Sequence, residues 1–145
     1  MKSWVEDFKE LDAVLSTNSP IVKYRFNNFI GAPNYEYIHP VKQKKVFALT
    51  NALLADHLGS SITDIIVFGS SITLFCDSYS DIDMMVLGTF DHFSPQIELY
   101  KFGDVDLFGY NREIFLEEIH TNLFYHGIWT KGVRVYEQLP TASKG

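Results

Sequence analysis

The sequence contains a single cysteine, Cys76, which excludes any disulfide within the chain and with it a disulfide-stapled scaffold. Its opening residues lack the basic-then-apolar pattern of a signal peptide, so a reducing cytoplasm is the expected compartment. No apolar run approaches the length needed to cross a bilayer, the nearest being the short, interrupted stretch from Ile62 to Phe68, and no membrane insertion is expected. Positive charge is scarce as well. Twelve Lys and Arg stand against 18 Asp and Glu, a formal net charge of −6 that offers no general attraction to a phosphate backbone. A long nucleic acid is therefore not the expected partner. The five histidines show no pair at the spacing of a metal motif such as His-Glu-x-x-His and read as structural or surface residues. Internal repeats and low-complexity tracts are absent too.

What remains is the composition of an ordinary folded protein, 46% hydrophobic and 21% charged over 145 residues, enough for one domain with its own core. We read residues 1–145 as that single domain, with an N-terminal helix and loop over 1–40 and a core over about 41–136. Ser3-Trp4-Val5-Glu6 has the form of a capping box, and Trp4, Phe8, Leu11 and Leu15 follow at helical spacing. Prolines and glycine punctuate a long loop from Thr17 to Pro40. Pro40 suits the first turn of a second helix, which Gly59 stops. Ile65-Ile66-Val67-Phe68 reads as a strand buried on both faces. A short helix is expected around Ile72 to Cys76, and strands over Asp81 to Leu87 and Leu99 to Phe108. A helix from Ile114 to Phe124 and a last strand over Gly132 to Tyr136 complete an α/β order, for which one layer pair is the economical architecture, a small mixed β-sheet packed against helices. Residues from Thr141 to Gly145 read as a loose tail.

The chemistry concentrates near the middle. Asp81 and Asp83 lie two apart on an expected strand, so both carboxylates leave one face while Ile82 points to the other. Like charges so close repel, and an intervening cation makes them tolerable. Magnesium fits, because it takes hard oxygen ligands and is typically held by one or two carboxylates plus substrate phosphates. Upstream, Gly69-Ser70-Ser71 ends the preceding strand. Glycine lets backbone approach a phosphate closely, and serine hydroxyls and amides can donate to it.

Phe68-Gly69-Ser70, ten further residues, then Asp81-Ile82-Asp83-Met84 resembles the signature of the DNA-polymerase-β-like nucleotidyltransferase superfamily. Val105-Asp106-Leu107-Phe108 is similar to the element that carries that family's third carboxylate. Asp104 shares the strand parity of Asp106, but only Asp106 has the matching apolar flanks. The resemblance spans roughly residues 64 to 108. It implies the nucleotidyltransferase fold, two magnesium ions held by Asp81, Asp83 and Asp106, and a nucleotide site that includes Gly69, Ser70 and Ser71, with Ser70 on the terminal phosphates. The sequence departs from many small members of the family in having no basic residue between Ser70 and Asp83. Lys101, Arg112, Lys131 and Arg134 are the candidates to replace that charge.

A lone Asp-x-Asp is usually solvated surface and a lone Gly-Ser usually a turn. Their combination with Asp106, in order, is what gives the pattern weight. Cys76 has no neighbouring base and reads as a small buried apolar residue, and Lys42, Lys44 and Lys45 as the solvated face of the second helix. Size resembles the minimal, antitoxin-like nucleotidyltransferases. That implies transfer of a nucleoside monophosphate, AMP by preference, from a nucleoside triphosphate such as ATP to a hydroxyl on a partner protein, for instance a HEPN-type toxin. A small-molecule acceptor of the antibiotic type, held at an oligomer interface, and a non-catalytic binding module on the same fold are the alternatives. The aromatics between Thr17 and Pro40 are candidates for a partner surface or a lid.

Overall fold

A computed structural model of the chain describes residues 23–26 and 30–138. The expected first helix, most of the loop up to residue 30 and the tail from residue 141 lie outside those residues.

Helix α1, Pro40–Ala55, begins where the sequence marks it. Pro40 sits in the first turn, where its missing N–H is no loss, and the His39 side chain caps the helix by accepting from the Val41 N–H at 3.2 Å. Gln43, Val46, Leu49, Thr50 and Leu53 recur at helical spacing and bury one stripe. Lys42 belongs to that buried stripe, being only 3% exposed, so the reading of Lys42 as solvated is corrected. Lys44 and Lys45 are exposed as expected.

Among the described residues four strands form one mixed sheet in the order β3-β2-β1-β4. Strand β1, Ile62–Phe68, pairs antiparallel with β2, Ile82–Gly88, and with β4, Val133–Glu137. Strand β3, Val105–Asn111, runs parallel to β2 at the sheet edge. The two central strands are apolar on both faces, and each face has its own helical cover. Ile65, Val67, Met84 and Val86 pack with Val46, Leu49 and Leu53 of α1. Ile66, Met85 and Leu87 pack with Phe115, Ile119 and Ile128. These last belong to helices α2, Arg112–Glu118, and α3, Leu123–Lys131, and to the turn between them. The sheet thus lies between two helical layers, where a single layer pair was expected. A strand buried on both faces cannot be satisfied by one layer.

Three local expectations also change. Residues after the Gly69–Ile72 turn do not continue as a helix. The Thr73 hydroxyl donates to the Ser70 carbonyl at 3.0 Å and accepts from the Phe75 N–H at 3.2 Å, a local alternative to helical bonding. The third strand starts at Val105 rather than Leu99, because residues Leu99–Phe102 form a 3-10 turn that ends at Gly103, in the left-handed region with φ 82°. The helix expected over Ile114 to Phe124 is two helices, each with an asparagine cap. Asn111 accepts from the N–H groups of Glu113 and Ile114, and Asn122 from those of Phe124 and Tyr125. Among the described residues no helix is long and apolar enough to cross a membrane.

Candidate active site

Strand β1 delivers the chain to the site. At Phe68 the extended backbone gives way to Gly69 at φ 74°, a conformation that L side chains rarely adopt, and the tight turn Gly69–Ile72 follows. Space also favours glycine there, since a Cβ would displace the Asp83 carboxylate. A Cβ at position 69 would lie 2.1 Å from Oδ2 of Asp83. The turn is fixed from two sides. The Ser71 carbonyl accepts from the His39 N–H at 2.7 Å, tying it to the start of α1. The hydroxyls of Ser70 and Ser71 donate to the Asp81 carbonyl at 3.4 and 3.5 Å, long bonds that tie it to the start of β2. Ser71 is buried, while Gly69 is exposed and Ser70 half-buried.

Sheet register brings the acids together. Phe68 stands opposite Asp83, and Asp83 opposite Asp106 on the parallel neighbour. Asp81 lies just ahead of β2, exposed, as is Asp106, whereas Asp83 is half-buried. Burial first, then the hydrogen bond and negative charge of Asp106, then the charge of Asp81, push the Asp83 carboxyl up to about 6. Asp104 is exposed and not among the groups acting on Asp83. Its backbone carbonyl instead accepts from the Ile82 N–H at 2.9 Å, which sets the start of the parallel pair.

The donor set suits a hard divalent cation. Three carboxylates repel one another at the end of two adjacent strands, and a cation would relieve the repulsion that raises Asp83. Among the described residues no three His, Cys, Asp or Glu side chains form a metal cage by themselves. Such a cage is unnecessary for magnesium, which keeps several waters and completes its shell with substrate oxygens.

On the other side of Gly69 lies a cavity of about 350 Å³ between the turn and α3. Phe68, Ile72, Phe124 and Ile128 supply apolar wall, and Lys131 is the charged residue lining it. Phe124 packs edge-on to Phe68, with ring centres 5.8 Å apart. The four candidate cations are now distinguished by position. Lys101 is paired with Glu98 three residues away. Arg112 and Arg134 converge on buried Asp64, at 2.9 and 3.5 Å, beside the Trp129 ring. Lys131, exposed at the end of α3, makes no ion pair among the described residues. Sequence reading had no local signal for Phe124, an exposed aromatic in the first turn of a helix that only tertiary packing lays against Phe68.

The loop from Thr73 to Ser80 joins the two halves of the motif and is anchored from beneath. Lys42 Nζ donates to the Ser78 carbonyl at 3.2 Å. Asp77 accepts from the Tyr79 N–H at 2.9 Å and interacts with the Ser80 hydroxyl at 3.2 Å, contacts that hold its carboxyl below the usual range, with Lys42 assisting. Phe75 and Tyr79 project from this loop, 91% and 90% exposed. Cys76 is buried, and burial pushes its thiol up, which makes it a poor nucleophile. None of the known family models, curated proteins or solved structures compared with the chain matches it.

Proposed function

We propose that the chain is a magnesium-dependent nucleotidyltransferase with a polymerase-β-like fold, which transfers a nucleoside monophosphate, AMP by preference, from a nucleoside triphosphate to a hydroxyl acceptor. One observation carries the reading: Asp83 and Asp106 are register partners on adjacent parallel strands, with Asp81 beside them and Gly69 against the Asp83 carboxyl. Acids gathered this closely repel one another and are costly to the fold, and a protein with no use for a cation has no reason to keep them.

Each residue has a task in this reaction. Asp81, Asp83 and Asp106 supply the oxygens that hold two magnesium ions. When bound, magnesium neutralises triphosphate charge and lowers the pKa of the attacking hydroxyl. The Gly69–Ile72 turn brings backbone close to the phosphates, and Ser70, half-buried and making only a long bond to the Asp81 carbonyl, can turn its hydroxyl toward phosphate oxygens, while buried Ser71 holds the turn in place. The acceptor hydroxyl gives up its proton to water, its oxygen bonds to the α-phosphorus, the bond from that phosphorus to the bridging oxygen breaks, and pyrophosphate leaves. Positioning and charge neutralisation supply most of the catalysis.

For the acceptor, a hydroxyl on a partner protein, such as a HEPN-type toxin, is the favoured reading. The exposed Phe75 and Tyr79, a few residues before Asp81, support it as contacts for a protein surface. A small molecule held at an oligomer interface is the alternative acceptor. The absence of a basic residue between Ser70 and Asp83 favours a second reading, a non-catalytic module that binds a partner through the same fold. The reaction is assigned to the cytoplasm.

Calorimetry with a non-hydrolysable ATP analogue, with and without magnesium, tests the site in the wild type and in the Asp81→Ala, Asp83→Ala double variant. Magnesium-dependent binding that disappears in the variant is the expected result. No binding to ATP, GTP, CTP or UTP analogues would overturn the catalytic reading for the chain on its own and favour the binding module.

A further inference from the structure

The cavity beside Gly69 shares a wall with the acid cluster, since Gly69 both lines the cavity and touches Asp83. Its volume of about 350 Å³ lies within the range of roughly 300–1,000 Å³ that small-molecule sites occupy. Its chemistry is divided: aromatic and aliphatic side chains on the walls, one cation, and the three carboxylates outside. A ligand that suits it has a flat apolar part for the walls and a chain of negative charge for the cation, carried past the carboxylates by a divalent metal.

Resting on the nucleotidyltransferase reading, we propose that this cavity seats the nucleoside triphosphate, and that Lys131 is the residue that grips its phosphate chain while the base lies against Phe124. Electrostatics demand such a residue. Phosphates approaching Asp81, Asp83 and Asp106 meet repulsion that magnesium offsets only in part, and no basic side chain is available from the loop between Ser70 and Asp83. Lys101, Arg112 and Arg134 are engaged with Glu98 and Asp64. Lys131 remains, on a flexible stem at the cavity lining, able to place three N–H donors on phosphate oxygens. Its position at the C-terminal end of α3 also suits a cation through the helix dipole, a contribution to stability that does not itself attract phosphate.

The two roles separate experimentally. In the full chain with magnesium, Lys131→Ala is expected to weaken binding of the ATP analogue and of inorganic tripolyphosphate by about 10- to 100-fold, the loss typical of a charge-assisted hydrogen bond, with adenosine binding little changed. Lys131→Arg should recover most of the affinity. A role confined to the helix dipole would move the melting temperature and leave the difference between ATP and adenosine intact. Wild-type affinity for the ATP analogue in Lys131→Ala, or equal losses for ATP analogue and adenosine, would overturn the assignment while leaving the carboxylate site standing. Absence of magnesium-dependent binding in the wild type, or its survival in the Asp81→Ala, Asp83→Ala variant, would remove the nucleotidyltransferase reading and this inference with it.

Discussion

Replacing Gly69 by alanine should destabilise the protein through two separable effects, and a double-mutant cycle with Asp83 measures each. The first effect is dihedral. Gly69 sits at φ 74°, and holding a residue with a Cβ in the left-handed region costs roughly 1–2 kcal/mol. The second is steric. The new methyl would stand 2.1 Å from Asp83 Oδ2, so the carboxylate must swing off its rotamer and away from Asp106, at about 0.5–1.5 kcal/mol more. With Asp83→Ala already in place the steric cost largely vanishes, because the nearest remaining Asp83 atom is its Cβ, at 3.3 Å. Urea denaturation followed by tryptophan fluorescence should therefore give about 1.5–3.5 kcal/mol for Gly69→Ala in the wild type and about 1–2 kcal/mol in the Asp83→Ala background. A coupling of about 1 kcal/mol exceeds the ~0.3–0.5 kcal/mol scatter of independent sites. Equal costs in the two backgrounds would refute the claim that Gly69 is there to make room for the carboxylate.

Asp106→Asn should raise the melting temperature more at pH 8 than at pH 5. Asp83 has its folded pKa raised to about 6, so its favourable contribution is complete below the ordinary carboxyl range and is lost as pH rises through about 6. Removing the Asp106 charge lowers that pKa and restores stability on the alkaline side; a gain as large at pH 5 would contradict the assignment of Asp106 as a neighbour that raises Asp83. Lys42→Met, which keeps the buried stem and deletes the bond to the Ser78 carbonyl, should cost about 1–3 kcal/mol and speed amide exchange selectively in residues 76–80. Unchanged exchange there would show that the loop does not depend on this anchor.

Much of the site could be read along the chain because its parts are local. Pro40 starts α1, the apolar runs of β1 and β2 predict central strands, and Asp81 and Asp83 share a strand face by parity alone. Other elements resisted reading because competing local bonds decided them: the Thr73 hydroxyl stops a helix that spacing favours, and Asn122 divides another. Lys42 misled because a charged residue on a helix is usually solvated, and only the loop above it, with the Ser78 carbonyl turned inward, makes its burial tolerable.

Residue type and short-range spacing by themselves determined the α/β class, the glycine turn and the pair Asp81 and Asp83, since these follow from backbone periodicity and steric freedom. The tertiary structure decided which remote groups join them. Parallel pairing of β2 with β3 sets Asp106 rather than Asp104 opposite Asp83, and the packing of α3 carries Phe124 and Lys131 to the Gly69 turn while Arg112 and Arg134 turn toward Asp64. Such choices depend on register between strands and on which buried charge claims which cation, and both are settled by contacts between segments far apart in the chain.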